Sequence, residues 1–257
     1  MTLLAHRHAY TFALSLNKKM RKTTLSIICL LLSLAPLRAQ EKNDLRTSAF
    51  TLPYSLLKST PDYKRLRINS GVMIGLSGLA TGVTFMLPES ISNWDRAEIS
   101  SRSLGSNWWA HVSKGPVMDA DNAFMNRVAH PYAGSIYYMS ARGAGFSAPY
   151  SLLYSFVAST FFWEYGIEAF MEIPSLQDLI ITPTQGALLG ETFYLAKRAI
   201  AANNYELFDS KLLGCTAAFL IDPVNELTDY LTGGHYRRQD VFAVQLLPAS
   251  FSLKIIF

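Results

Sequence analysis

Residues 68–87 contain no charged side chain, and this stretch constrains the fold more than any other part of the chain. Its length matches the roughly 20 residues that a helix needs to cross the apolar layer of a bilayer. Glycines recur every three or four positions, so a helix here would carry a glycine face, formed by Gly71, Gly75, Gly78 and Gly82. Such faces let helices approach closely in membranes. A buried glycine-rich helix in a soluble bundle fits the pattern equally well.

A shorter apolar run covers residues 25–35 and follows the basic side chains of Arg21 and Lys22. The run is too short to span a bilayer, and with the small residue Ala39 behind it the layout is typical of a secretory signal peptide. We therefore expect residues 1–39 to form an N-terminal extension with a signal peptide that is removed. The remaining chain would be exported to the cell envelope, on its periplasmic or outer-membrane side.

Removal of the leader also changes the charge of the chain. The full sequence has 23 basic and 19 acidic side chains, but residues 1–40 contain six of the basic ones and no acid. The mature chain is therefore slightly acidic, and no long run of Lys and Arg remains in it to bind nucleic acid. Only Cys215 stays after processing, so no intrachain disulfide is expected.

The rest of the chain is predicted to be all-α, a helical bundle of about five helices with a short two-stranded β tail. The sequence pattern places an irregular arm at 40–67, the helical domain at 68–234 and the alternating residues of the tail at 235–257. The helices after the first are expected at 121–142, 147–171, 175–202 and 209–231. Two of them contain a proline, Pro131 or Pro183, which predicts a kink in each.

Polar residues recur at helical spacing in three consecutive predicted helices. The first carries Asn122, Asn126 and His130, the second Glu164, Glu168 and Glu172, and the third Asp178, Thr182 and Gln185. Residues four apart share a helix face, so each apolar helix has one polar stripe, and we expect the stripes to face one another. Between Gly143 and Ala196 the chain has five acids and no Lys, Arg or His to pair with them.

The candidate site is His130, Glu164 and Asp178, with Asn126 and Glu168 in support. These side chains could bind a divalent cation, or burial could keep one carboxyl protonated as the acid of an acid/base pair with His130. A purely structural alternative leaves Glu168 in solvent, uses Asp178 only as a helix cap and bonds His130 to a carbonyl freed by the following proline. The sequence has no Gly-x-Ser-x-Gly, phosphate-loop or His-Glu-x-x-His motif.

Three ordered blocks of sequence are distinctive: DNAFMNRVAHPYAG at 121–134, FWEYGIE at 162–168 and PSLQDLIITPTQGALLGE at 174–191. They resemble the bacterial family catalogued as domain of unknown function 3943, and the resemblance extends over about 94–231. It implies an envelope protein with no assigned activity. More distantly, the order of His130, Glu164 and a Ser-x-x-Asp-Leu sequence at 175–179 before Gly-x-x-x-Gly is similar to VanZ-like membrane proteins.

Two functions are open at this point. The first is a membrane-associated structural or partner-binding component of the envelope, which would contact membrane lipid or an envelope protein and could form oligomers through the glycine face. The second is a membrane-proximal hydrolase or transferase that acts on a lipid or glycan head group through His130, Glu164 and Asp178, with or without a divalent cation.

Overall fold

The structure is a computed structural model, and it describes residues 49–118 and 123–233 together with the backbone of 242–247 and 250–255. The predicted signal peptide at 1–39 lies outside these residues. The described part has nine α-helices: α1 Tyr63–Met86, α2 Glu89–Ser92, α3 Arg96–Ser101, α4 Leu104–Val112, α5 His130–Arg142, α6 Ala148–Val157, α7 Leu176–Ala202, α8 Lys211–Ile221 and α9 Pro223–Thr232. The mostly helical character predicted from the sequence is therefore confirmed.

Three irregular helical turns and two strands complete the described elements. π-Helical turns lie before α5 at Met125–Ala129 and after α6 at Ala158–Ile167, and a 3₁₀ turn covers Glu168–Phe170. The backbone of β1 Phe242–Leu247 pairs antiparallel with that of β2 Ser250–Ile255. The grouping of the helices into one five-helix bundle with a β tail stays a prediction.

The first helix begins before the predicted domain boundary at residue 68. The Asp62 side chain caps α1 by accepting a hydrogen bond from the backbone N–H of Arg65 at 2.9 Å, so the helix begins at Tyr63. The described part of the arm is attached to the turn between α5 and α6, where Thr60 N donates to Gly145 O at 2.8 Å. Gly145 has a φ of +85°, and a Cβ there would lie 2.2 Å from Thr60 O, so this close approach requires glycine.

The predicted last helix, 209–231, is two helices. α8 ends at Ile221 and α9 begins at Pro223, because Pro223 has no backbone N–H with which to continue the hydrogen bonding of α8. Asp222 between them has a φ of −151°, and its side chain caps α9 by accepting from Asn225 N at 3.2 Å. The prediction of one continuous helix here was wrong. α7, in contrast, continues through Pro183.

The centre of the domain is the crossing of α5 and α7. A Cβ on Gly186 would lie 2.5 Å from the Cα of Gly134, and a Cβ on Gly134 would lie 1.8 Å from Thr182 O. The two helices therefore touch through their main chains, the close approach that small residues permit. The glycine face of α1 makes no such contact within the described chain, since no atom lies within 4 Å of a Cβ built on any of its four glycines.

Candidate functional site

Residues from each of the three predicted polar stripes meet near the start of α7, whereas Gln185 is exposed and Asn122 lies outside the described residues. His130 is the first residue of α5, Glu164 lies in the π turn after α6, and Asp178 lies in the first turn of α7. His130, Glu164, Glu168 and Asp178 are all buried, with at most 5% of each residue exposed. The alternative that left Glu168 in solvent therefore does not hold.

The start of α7 shows how Glu164 and Asp178 are placed. Ser175 is the N-cap, and its Oγ accepts a hydrogen bond from Asp178 N at 3.1 Å. In a capping box the acid at the third position would accept the N–H of Ser175 in return, but here Glu164 Oε1 accepts that N–H. The carboxylate of Asp178 lies beside His130 instead, with 3.7 Å between His130 Nε2 and Asp178 Oδ1. Asp178 is therefore more than a helix cap.

Glu168 has a different environment from Glu164. Burial raises the pKa of Glu168 well above its ordinary value, and the negative charges of Glu164, Glu172 and Asp178 raise it further. Its Oε2 atom has no hydrogen-bond partner among the described residues. The protonated, neutral form of Glu168 is therefore the form that this environment favours.

Both π turns carry residues of the predicted site. Asn126 is partly buried and lies in Met125–Ala129, the π turn that immediately precedes His130. Glu164 lies in the second π turn, Ala158–Ile167. π turns are rare and are frequent at functional sites, because the extra residue per turn changes the direction of the side chains that follow. Regular helices were predicted at both places, and no local signal in the sequence indicated the π turns.

Metal binding has no further support in the described part of the chain. Among residues 49–118 and 123–233, no group of three or more His, Cys, Asp and Glu side chains is arranged to hold a metal ion. The geometry instead places two pairs of groups together, His130 with Asp178 and Glu164 with Glu168. This arrangement fits acid/base chemistry, in which one group holds a proton and its neighbour accepts one.

Comparison with known proteins gives the family of the chain. Residues 115–224 match the family described as Domain of unknown function (DUF3943). Over these residues the chain is similar to that family. The predicted family is thus confirmed, over a shorter range than the 94–231 expected, and the DUF3943 segment contains all five candidate residues from Asn126 to Asp178. No curated protein and no solved structure matches the chain. The weaker resemblance to VanZ-like membrane proteins stays a prediction.

The DUF3943 segment also contains a partly buried ion pair that was not predicted from the sequence. Glu191 was among the acids without a basic neighbour in sequence, but Arg142 Nε and Nη2 donate to its two oxygens at 2.9 and 3.0 Å. The Tyr138 hydroxyl donates to it at 2.5 Å. Although burial acts to raise the pKa of Glu191, these hydrogen bonds from Arg142 and Tyr138 hold it below its ordinary value. Arg142 lies directly before the stretch that has no basic residue.

A second cluster that was not predicted from the sequence joins α7 to the start of α9. Lys197 is fully buried, and its Nζ lies 2.5 Å from Asp222 Oδ2 and 3.0 Å from Glu226 Oε1. Asn225 Nδ2 donates to Asp222 Oδ1 at 2.9 Å, and Arg65 Nη1 of α1 donates to Asp229 Oδ1 at 2.6 Å. Asp222 at the N-cap of α9 and Glu226 and Asp229 within α9 are four and three residues apart, a spacing that could have indicated a buried polar face.

Proposed function

We propose that the protein is a membrane-associated component of the cell envelope whose helical domain contacts lipid through exposed apolar side chains. The observation that carries the proposal is the distribution of polarity in the described part. Polar and charged residues outnumber apolar ones among the largest fully buried side chains, with Lys197, Asp222 and Asn69 as examples. Such residues are rarely buried completely in soluble proteins, and then only when paired.

Large apolar side chains lie on the outside of several helices. α7 exposes Ile180, Leu188 and Leu195, which are seven or eight residues apart and hence share one face. Phe161 is 63% exposed and Met86 of α1 is 71% exposed. Extended apolar surfaces of this kind mark contacts with a membrane or with another protein. A lipid environment accounts for both the polar interior and the apolar exterior.

α1 supports the same proposal. Within the described residues it is the one helix that is long and apolar enough to cross a membrane, and only 17% of its most apolar stretch is buried. Its buried residues are Asn69, Met73 and Ser77, while the glycine face points away from the rest of the described chain. In this proposal the glycine face meets a second copy of the chain or another envelope protein.

The remaining sequence predictions complete the proposal. The signal peptide at 1–39 directs the chain out of the cytoplasm. The longer helical segments pack as one bundle, and the β tail at 235–257 follows it. Export would leave a mature N-terminus at Gln40, which N-terminal sequencing of the purified protein would identify. A protein that starts upstream of the apolar run at 25–35 would contradict cleavage.

Cell fractionation tests the membrane association. We expect the full chain to sediment with membranes and to stay there after an alkaline wash, because apolar contacts with lipid do not depend on charge pairing. Release of the protein into the wash would contradict the proposal. A co-expressed periplasmic protein should be released under the same conditions, which controls for trapping in closed vesicles.

A second candidate function is a hydrolase or transferase that acts on a lipid or glycan head group, and the contact of His130 with Asp178 beside Glu164 favours it. The test is lipid and glycan profiling of a deletion strain complemented with Glu164→Gln. We expect this variant to leave the altered profile uncorrected, since Gln cannot act as a base. Glu172→Gln, a partly exposed neighbour, should correct it. Full correction by Glu164→Gln would remove this candidate.

A further inference from the structure

Glu164 lies where a negative charge is stabilised. Its Oε1 accepts the backbone N–H of Ser175, the N-cap of the 27-residue helix α7. The free N–H groups and the aligned peptide dipoles at a helix N-terminus favour an anion. A hydrogen bond from a backbone N–H to a carboxylate is also stronger than one to a neutral carbonyl. The ionised form of Glu164 therefore matches its surroundings.

Glu168 lies where a negative charge is opposed. The groups that act on it most strongly are acids: Glu164 and Glu172 on its own segment and Asp178 from α7. Tyr137 of α5 also lies within reach of the charges of Glu168 and Glu164, and His111 of α4 bonds the next carbonyl, Ala169 O, through Nδ1 at 2.9 Å. Glu168 is 4% exposed and its Oε2 lacks a hydrogen-bond partner among the described residues. A buried charge with an unpaired oxygen costs more than a buried neutral acid.

From this geometry we infer that Glu164 and Glu168 hold one proton between them, with Glu164 as the ionised carboxylate and Glu168 as the neutral carboxylic acid. Two carboxylates that share a buried site cannot both ionise at low cost, so one of them keeps its proton. The contact with the N-terminus of α7 decides which one loses it. The neutral acid then donates a hydrogen bond to the anion beside it.

The inference deepens the second candidate function and rests on it for its role, because it names the acid of that site. A carboxylic acid that stays neutral at pH 7 can donate a hydrogen bond or a proton to an oxygen of a bound head group. His130 and Asp178, 3.7 Å apart, lie at the same end of α7. In this site they would be the pair that accepts a proton. The proton assignment itself is testable without any substrate.

Infrared spectroscopy of the purified full chain in detergent at neutral pH tests the assignment. The carbonyl stretch of a protonated carboxylic acid is separate from the bands of carboxylates and shifts in deuterated water. We expect wild-type protein to show this band, Glu168→Gln to lose it and Glu172→Gln to keep it. Absence of the band in the wild type, or its survival in Glu168→Gln, would overturn the inference.

Glu164→Gln provides a second, independent measurement. Burial is the largest effect on Glu168 and is unchanged in this variant, so the band should remain, at a frequency altered by the neutral hydrogen-bond partner. Since burial is expected to keep Glu168 neutral even without the charge of Glu164, loss of the band would contradict the assignment. The spectra do not depend on membrane association or on activity. If wild-type protein lacks the band while Glu164→Gln leaves the lipid and glycan profiles uncorrected, the inference is refuted and the enzyme candidate still stands.

Discussion

At the scale of single residues, Lys197 shows how the polar interior is stabilised. Burial acts to lower the pKa of Lys197, but the charges of Asp222 and Glu226 raise it above its ordinary value, so the side chain stays charged. The ring of Phe50, from the arm, lies 4.3 Å from Nζ. The charge of this lysine is therefore balanced by two acids at the start of α9, and the arm covers its side chain. Lys197 thus connects α7 with α9 and with the arm.

Replacement of Lys197 by Met should destabilise the protein strongly. The variant leaves Asp222 and Glu226 buried without their cation, and breaking a buried pair in this way costs about 3–5 kcal/mol. Lys211→Met is the matched control, because its partner Glu206 lies 3.7 Å away and both side chains are 41% exposed. An exposed pair contributes about 0–1 kcal/mol. Urea unfolding in detergent, followed by circular dichroism, compares the two; equal losses would contradict the role given to Lys197.

Glu168 should make stability depend on pH in a defined direction. Its folded pKa is raised above the ordinary value of 4.5, so the stability it contributes is present below that pH and is lost as pH rises through the folded pKa. Glu168→Gln should match wild type in acid and become increasingly more stable than wild type toward alkaline pH. Melting temperatures measured across pH test this. A difference that stays constant with pH would count against a raised pKa.

Spacing along the sequence predicted part of the polar interior. Residues four apart indicated one face for Glu164 and Glu168 and another for His130, and the buried cluster contains all of them with Asp178. The partners of Glu191 and Asp222 could not be predicted in the same way, since Arg142 and Lys197 are distant in sequence and meet them only through the packing of helices. Contacts within one element follow from its period, whereas contacts between elements require the fold.

At the scale of elements, the sequence predicted where helices occur better than where they change. Uncharged and apolar stretches predicted helices in the regions of α1, α5, α6 and α7. The two π turns were missed. The break before Pro223 was also missed, because a proline can either interrupt a helix or, as Pro183 does, remain inside one. Which outcome occurs depends on whether neighbouring groups satisfy the freed carbonyls, and those neighbours come from other elements.

The crossing of α5 and α7 should tolerate no added methyl group. A Cβ at Gly186 would collide with backbone atoms of Gly134 and Ser135, so Gly186→Ala must push the helices apart at a cost of about 1–3 kcal/mol. Gly105→Ala in α4 meets open space and should gain up to about 1 kcal/mol from helix propensity. Thermal unfolding of both variants tests the contrast. A stabilised Gly186→Ala would show that the helices are further apart than described.

At the scale of the whole molecule, the described helices place charged networks inside and apolar side chains outside. The charged networks hold α1, α5, α7 and α9 together through Arg65, Arg142 and Lys197. Bare burial of these groups would be costly, but each has partners at hydrogen-bond distance. The apolar exterior has no comparable partners in the described chain, and lipid contact is the environment that we propose for it.

Lipid contact at α7 can be measured directly. Leu188 is 75% exposed, so Leu188→Cys in a Cys215→Ser background gives one labelling site for a polarity-sensitive fluorophore. After reconstitution into phosphatidylethanolamine and phosphatidylglycerol vesicles, the label should emit as in an apolar solvent and resist quenching by aqueous iodide. Lys114→Cys, at an exposed charged position, should emit and quench as in water. If the two labels behave alike, the apolar face of α7 lies in water or against protein, and the proposed lipid contact is wrong.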